Sequence, residues 1–367
     1  MSELSGSVLA IDRSSVVPLY AQLAAYFKDL ILSGALPYGS KLPSENELVA
    51  KYALSRMTVR SAFSALENEK FIEKRQGKGA FVCYQPSAAT GNIDVLLDIS
   101  YTYFAAHYIQ SISAVLTQRK YRFIIHDTGD SQQKICSTLL QILNNGSSGI
   151  IVQPSHRIEP LLPELCGAFD RLNAQGIPYI MLDHVYDGIT GHQMVFDDYG
   201  GGRVAAEYLC SLGHRSYAMI CCSSFYENRL REGGFRSVLA ENGLSGPVCI
   251  EDAPDIREAL LTAIDQYKIT ALFCFNDEIA LKAIRTLHAA GLRVPEDISV
   301  VGYDDTVLAS ATEPLLTSVI HPKDILGRMA AESLISMIEK KPYMPDTALL
   351  APRLHIRASC APVKDKE

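Results

Sequence analysis

The chain has no apolar run long enough to cross a bilayer. Met1 to Ser15 also lacks the basic start and apolar core of a secretory signal. Both absences point to a cytoplasmic protein with no membrane partner. The nine cysteines are an odd number, and no Cys-x-x-Cys spacing occurs. Most fall inside apolar strand-like runs such as AMICC at 218–222 and ALFCF at 271–275, which read as small buried hydrophobes in a reducing compartment. Gly200-Gly201-Gly202 precedes a helical stretch without GxGxxG spacing or a Walker lysine, so it reads as a tight strand-to-helix junction and not a phosphate cradle. No GxSxG elbow is present either. No catalytic residue, metal ligand or cofactor is assigned, and the chain is not expected to be an enzyme.

At 367 residues the chain exceeds one ordinary domain, and a 48% hydrophobic content is ample for a buried core. The net charge of −7 is unevenly spread. Residues 1–86 hold ten Lys/Arg against eight Asp/Glu, net +2, leaving 24 against 33, net −9, for the rest. Only the first part has a balance suited to a polyanion.

That first part contains LPSENELVAKYALSRMTVRSAF, Leu42 to Phe63. Ser44 with Glu47 forms a capping box, and Leu48 supplies an inward face. Ala53 and Leu54 fill a turn, after which Ser55 caps a second helix that projects Arg56, Thr58 and Arg60 from its first turns. Cationic and hydroxyl groups at a helix N-terminus suit phosphates and base edges. From Phe71 to Val82, two β-prone runs flank Gly77-Lys78-Gly79, a hairpin with a basic tip. A helix pair followed by such a wing predicts a winged helix-turn-helix (α+β) over residues 1–83. Together with PLYAQL at Pro18, LILSGALPYGSKLPSE and GKGAFV, the segment resembles the GntR family of bacterial transcription factors. The resemblance implies that Glu45, Ser55, Arg56, Thr58 and Arg60 contact double-stranded operator DNA. It also implies that Gly77 and Lys78 place the wing in the adjoining minor groove.

Residues 84–92, YQPSAATGN, read as a linker. From 93 to 367, apolar strand runs (IDVLLDI, RFIIHD, GIIVQP, IPYIMLD) alternate with helix-length amphipathic segments, and the rhythm restarts with YAMICCS, ALFCFND and ISVVGYDD. This predicts an α/β domain of two doubly wound parallel sheets with a cleft at the strand C-terminal ends. The block from Ala271 to Asp305, with LDHV at 182, DDYGGGRVAAEYLCSLGH at 197 and RLREGGF at 229, resembles the LacI/GalR effector domain, itself similar to periplasmic sugar-binding proteins. A GntR-type head on a LacI-type sensor is the architecture of the bacterial arabinose-operon repressors. TSVIHPKDILGRMAAESLI at 317–335 and NDEIALK at 276–282 resemble that subgroup.

A sugar cleft needs carboxylate, amide and guanidinium groups for hydroxyls and an aromatic face for the ring. Tyr101, Tyr103 and Phe104 lie after the first strand and Gln153 after IIV. The family pattern implies Asp183, Arg231, Asn276 and Asp304 at the ligand. Acids at strand ends also cap helices, a role expected among Asp197, Asp198 and Asp277, while His214 and His321 are read as hydrogen-bonded structural residues. The expected function is a transcriptional repressor of carbohydrate-utilisation genes that binds operator DNA as a homodimer and is released by a monosaccharide. The arabinose subgroup points to L-arabinose; another sugar or a nucleobase is the alternative. A GntR-headed pyridoxal-phosphate enzyme is a remote one, against which the FND and GYDD blocks speak.

Overall fold

The computed structural model describes residues 11–13, 15, 17–32, 35–75, 77–84, 91–342 and 347–363. Helix α1 (Leu19–Leu32) buries Leu23, Phe27 and Ile31 at a four-residue spacing, one face of a 3.6-residue helix. That face meets Val59, Ala62, Phe63 and Leu66 of α3 (Arg56–Asn68), with Phe27 and Phe63 edge to face at 6.2 Å. Between them, α2 (Glu45–Tyr52) starts at the expected capping box: Ser44 Oγ accepts from the Glu47 amide, and Glu47 Oε2 accepts from the Ser44 amide at 2.6 Å. Ala53 ends α2 in the left-handed region, φ 48°, which turns the chain sharply into α3. Strands β1 (Ile72–Arg75) and β2 (Gly79–Val82) pair antiparallel as the wing.

The linker expectation falls mostly on residues 85–90, which lie outside the described residues. Its first residue, Tyr84, stacks on Phe71 at 4.8 Å and donates from Oη to the Leu143 carbonyl at 2.9 Å. The head therefore touches the domain that follows.

That domain has two six-stranded sheets. The first holds β3 (Asn92–Leu97), β4 (Arg122–Asp127), β5 (Gly149–Val152), β6 (Tyr179–Asp183), β7 (His192–Phe196) and β13 (Thr347–Leu350), in the parallel order β13-β7-β6-β5-β3-β4. The second holds β8 (Tyr217–Cys221), β9 (Val248–Glu251), β10 (Ala271–Cys274), β11 (Ser299–Asp304), β12 (Thr317–Ile320) and β14 (Arg353–His355), ordered β14-β12-β11-β10-β8-β9. Only β14 runs antiparallel, against β12. The central strands β5, β6, β8, β10 and β11 are buried along their whole length, which is why they read as unbroken apolar runs. Helices α4 (Thr102–Gln118), α5 (Gln132–Asn145) and α6 (Pro163–Gln175) cover the first sheet; α7 (Asp198–Ser211), α8 (Tyr226–Glu241), α9 (Arg257–Tyr267) and α10 (Asp277–Ala289) cover the second.

The lobes do not divide at one point of the sequence. The chain crosses after Phe196, after Ile320 and after Leu350, so α11 (Lys323–Ile338) and β13 return to the first lobe. Helix α11 seats closely there because two contacts lack a side chain: a Cβ on Gly327 would lie 2.2 Å from Ser111 Oγ, and one on Gly149 2.9 Å from Leu334 Cδ1. No helix among the described residues is long and apolar enough to cross a membrane.

Candidate effector cleft and DNA-facing helix

In the head, Ser55 Oγ accepts from the Thr58 amide at 3.0 Å and lies 2.8 Å from Thr58 Oγ1, so both hydroxyls hold the start of α3. Arg60 Nε donates to Glu45 Oε2 at 2.9 Å, and the Arg60 side chain stays 62% exposed. Glu45 thus aims the guanidinium without covering it. Arg56 and Met57 are exposed beside it. At the wing tip, Gly77 and Gly79 take φ of +71° and +106°, a turn that favours glycine and leaves Lys78 exposed between them.

The lobes enclose a cavity of about 1020 Å³ at the strand C-terminal ends. Tyr101, Gln153, Asp183, Arg231, Asn276 and Asp304 all line it. Tyr103 does not: its ring lies 4.6 Å from His107 and 5.3 Å from Lys323 Nζ, on the outer side of the first turn of α4. The helix sets this, since Tyr101 and Phe104, three apart, share the cleft side while Tyr103 falls between.

Arg231 is buried from the middle of α8, with Nε donating to Asp198 Oδ1 at 2.7 Å and Nη1 to the Phe275 carbonyl at 2.6 Å. Its guanidinium stacks 3.7 Å from the Tyr303 ring centroid and sits 3.6 Å from Asp304 Oδ1. Burial works against its charge, yet Asp198 and Asp304 together hold it above the ordinary arginine value. Asp304 Oδ1 is buried and has no hydrogen bond among the described residues. It is an acceptor facing a cavity that a hydroxyl can enter.

In the first lobe, Asp183 takes φ +79°, which turns its carboxylate back toward the cleft. Oδ1 meets His321 Nε2 at 2.8 Å and Oδ2 accepts from Gln153 Nε2 at 3.4 Å. Burial alone would raise this carboxyl, but His321, His156 and His184 hold it well below the usual carboxylate range. Across the cleft, Asn276 caps α10, its Oδ1 accepting from the Ile279 amide at 2.9 Å, and Nδ2 donates to Tyr101 Oη at 2.7 Å.

The helix-capping reading of the acids holds for Asp197, which accepts from the Gly200 amide at 2.7 Å. Asp198 instead pairs with Arg231, and Asp277 ties Ser318 Oγ and the Thr306 amide at 2.6 Å each. His214 is structural, bridging Thr270 and Ser299. His321, read as structural, also lines the cleft.

Residues 19–82 match the bacterial regulatory proteins of the gntR family, and residues 206–360 match a periplasmic binding protein-like domain. An arabinose metabolism transcriptional repressor from Geobacillus stearothermophilus is 30% identical, covering 90% of this chain and 93% of that protein. One from Halalkalibacterium halodurans is 31% identical over 93% and 96%. The chain belongs to this family of transcriptional repressors. A solved LacI family transcriptional regulator from Enterococcus faecium, with bound ribose, superposes with a TM-score of 0.62 at 25% identity, over 74% of this chain and 100% of that one.

The repressor is therefore a DNA-binding regulator and not an enzyme. Its fold is the one expected: a winged helix head and a two-lobed parallel-sheet domain. Sequence reading missed Asp98, His156, Phe225 and Glu227, which also line the cleft, and the buried His184 behind them. No spacing motif links these positions. The closest clue is that His156 and His184 each follow an apolar strand run, as Gln153 and Asp183 do.

Proposed function

We propose that this repressor holds its operator as a homodimer and releases it when a monosaccharide closes the two-lobed cleft. The carrying observation is the set of hydroxyl-binding groups that the two lobes direct into one cavity: Asp98, Gln153 and Asp183 from one side, Arg231, Asn276 and Asp304 from the other. A ligand held by both sets favours closure, and closure moves the heads of a dimer relative to each other. The aromatic faces of Tyr101, Phe104 and Phe225, which line the cavity, suit a sugar's C–H surface. L-arabinose is the preferred effector, supported by the two arabinose metabolism repressors that resemble this chain over nearly its whole length. The ribose held by the E. faecium regulator supports a pentose-sized ligand.

On the DNA side, Arg56, Thr58 and Arg60 reach the major groove, Glu45 and Ser55 position them, and Gly77 and Lys78 bring the wing to the minor groove. One small head buries limited DNA surface, so two are needed on a near-palindromic site. The test is thermal-shift screening of the full chain with L-arabinose, D-xylose, D-ribose, D-galactose and hypoxanthine, followed by operator titration with the stabilising ligand. L-arabinose is expected to raise the melting temperature most and to weaken DNA binding. Stabilisation by hypoxanthine alone would replace the sugar reading with a nucleobase one. A monomer bound one per operator in sedimentation would overturn the dimer.

A further inference from the structure

Beside the sugar-type groups, the lobes bring a nitrogen and carboxylate cluster together. His156 follows β5 and His184 follows β6 in the first lobe; Glu227 stands in the first turn of α8 in the second. His156 Nδ1 lies 2.8 Å and His184 Nδ1 3.5 Å from the same Glu227 oxygen, Oε1. One ligand atom from each residue falls within 4.8 Å of the other two. The two imidazoles lie near one another, centroids 4.6 Å apart and tilted by 34°.

Hydrogen bonding fixes how these rings point. His184 Nε2 is 2.8 Å from the Ser155 carbonyl, which only accepts, so Nε2 carries the proton and Nδ1 presents a lone pair when the ring is neutral. That Nδ1 is buried, makes no hydrogen bond among the described residues, and faces a carboxylate. The His184 lone pair and the Glu227 oxygen face each other unfavourably. In the metal-free protein the proton that His156 Nδ1 donates to the same oxygen at 2.8 Å offsets this, and a metal ion would take that proton's place. An imidazole anchored through its far N–H on a backbone carbonyl is also the second-shell arrangement of metal-binding histidines. Gln153 Nε2, 3.1 Å from His156 Nε2, donates to that nitrogen while the ring keeps its proton on Nδ1 toward Glu227, so a metal bound at Nδ1 must displace that proton. Tetrahedral zinc with bonds of about 2.0–2.2 Å separates its ligand atoms by roughly 3.3–3.5 Å, a spacing that small side-chain rotations reach from the separations seen.

We propose that His156, His184 and Glu227 bind one divalent transition-metal ion of the zinc class, which bridges the two lobes. Two imidazoles and one carboxylate form a borderline donor set that suits zinc, cobalt or nickel over magnesium or calcium. Three protein ligands leave a fourth position open, and it faces the cavity that His156 and Glu227 line. Because the ligands come from opposite lobes, the ion favours the closed arrangement and couples to any effector that does the same. Metal binding itself does not depend on the sugar reading.

A second cluster, Cys221, Glu232 and Cys249, supplies the competing site within the same chain. There Arg236 Nη2 lies 3.2 Å from Cys249 Sγ and Nε 2.6 Å from Glu232, so a cation already occupies the electrostatic role.

The test uses the full chain, stripped with a chelator and titrated with Co²⁺ followed by absorbance, then with Zn²⁺ in competition. One Co²⁺ per chain is expected, with visible d–d bands and no near-ultraviolet thiolate charge-transfer band. His184→Gln and Glu227→Gln should each weaken Co²⁺ binding at least about tenfold, whereas Cys249→Ser leaves it unchanged. Glu227→Gln keeps the side chain's shape, and it decides the matter if His184→Gln fails to fold. Absence of saturable binding, indifference to Glu227→Gln, or loss of binding and a thiolate band that vanishes with Cys249→Ser would each overturn the site.

Discussion

Asn276 Nδ2 donates to Tyr101 Oη at 2.7 Å, joining the two lobes across the cleft between residues 175 positions apart. The Ile279 amide fixes which way the carboxamide points, because Oδ1 must accept from it and Nδ2 is left to face Tyr101. One neutral hydrogen bond contributes only about 0.5–1.5 kcal/mol net. That is enough to bias closure, and small enough for a ligand hydroxyl to insert and rearrange it.

Asn276→Ala and Asp304→Asn should therefore leave operator affinity near wild type while abolishing ligand-driven release. Asparagine is chosen at 304 because the residue sits at φ +93°, where a short polar side chain is better tolerated than alanine. Operator binding measured across a sugar titration checks this. Release by either variant at the wild-type sugar concentration would show that the effector site lies elsewhere.

Arg60→Ala and Arg56→Ala should each cost about 1–3 kcal/mol of specific operator affinity, with ligand-induced stabilisation unchanged. Glu45→Ala should have a smaller effect in the same direction, through loss of the ion pair that orients Arg60. Fluorescence polarisation on operator and scrambled duplexes separates these losses from general electrostatic weakening. Equal losses on both duplexes would mean phosphate contact alone.

The His156–Glu227 pair predicts a pH signature. Burial opposes the charge on His156, but Glu227 more than offsets it and carries the imidazole up to about 9; Asp183 and Asp130 act in the same sense. Burial would raise Glu227, yet His156, with His184 and Arg231, brings it down to about 2. The histidine's contribution is full below its ordinary value near 6.5 and is lost as pH rises through about 9. The glutamate's is present above about 4.5 and is lost as pH falls through about 2. The buried His184, held low by burial and by His156, works oppositely near neutrality, which is why a variant reference is needed. The melting-temperature gap between wild type and Glu227→Gln, both metal-free, should be widest near pH 5–6 and narrow toward pH 9–10. A gap that stays constant over that range would refute the pairing.

Gly202→Ala should destabilise the second lobe. A Cβ there would lie 2.0 Å from the Arg231 carbonyl and 3.0 Å from the Phe235 amide, so α7 and α8 would have to separate. Backbone atoms cannot rotate away, and overpacking of this kind costs about 1–3 kcal/mol or more. Urea denaturation should show a lower midpoint with an unchanged slope, and effector affinity should fall because Arg231 moves with α8. An unchanged midpoint would show that the helices yield freely.

The glycine run illustrates what was and was not legible. The sequence suggests a strand-to-helix entry ahead of a helix, whereas Gly200, Gly201 and Gly202 lie inside the first turns of α7, and their physical reason is close approach: Gly201 faces Tyr303, Gly202 the α8 backbone, and Gly234 of α8 answers at Tyr199. Likewise most strands found from sequence are buried on both faces, the edge strand β4 being found by its apolar run Phe123–Ile125, whereas β9, β13 and β14 are short, mixed in polarity and at sheet edges, and carried no readable pattern.

The sequence by itself determined the head, its capping box, the turn at Ala53 and Leu54, the basic wing tip and the central strands, because each depends on residues a few positions apart. It also placed Gln153, Asp183, Asn276 and Asp304 at strand ends, where a parallel sheet turns side chains toward one rim. Tertiary structure alone decided the three crossings between lobes, the exclusion of Tyr103 from the cleft, and the meeting of His156 with Glu227 and of Tyr101 with Asn276. Those depend on how the whole chain closes on itself, and no local periodicity encodes a contact between residues 71 or 175 positions apart.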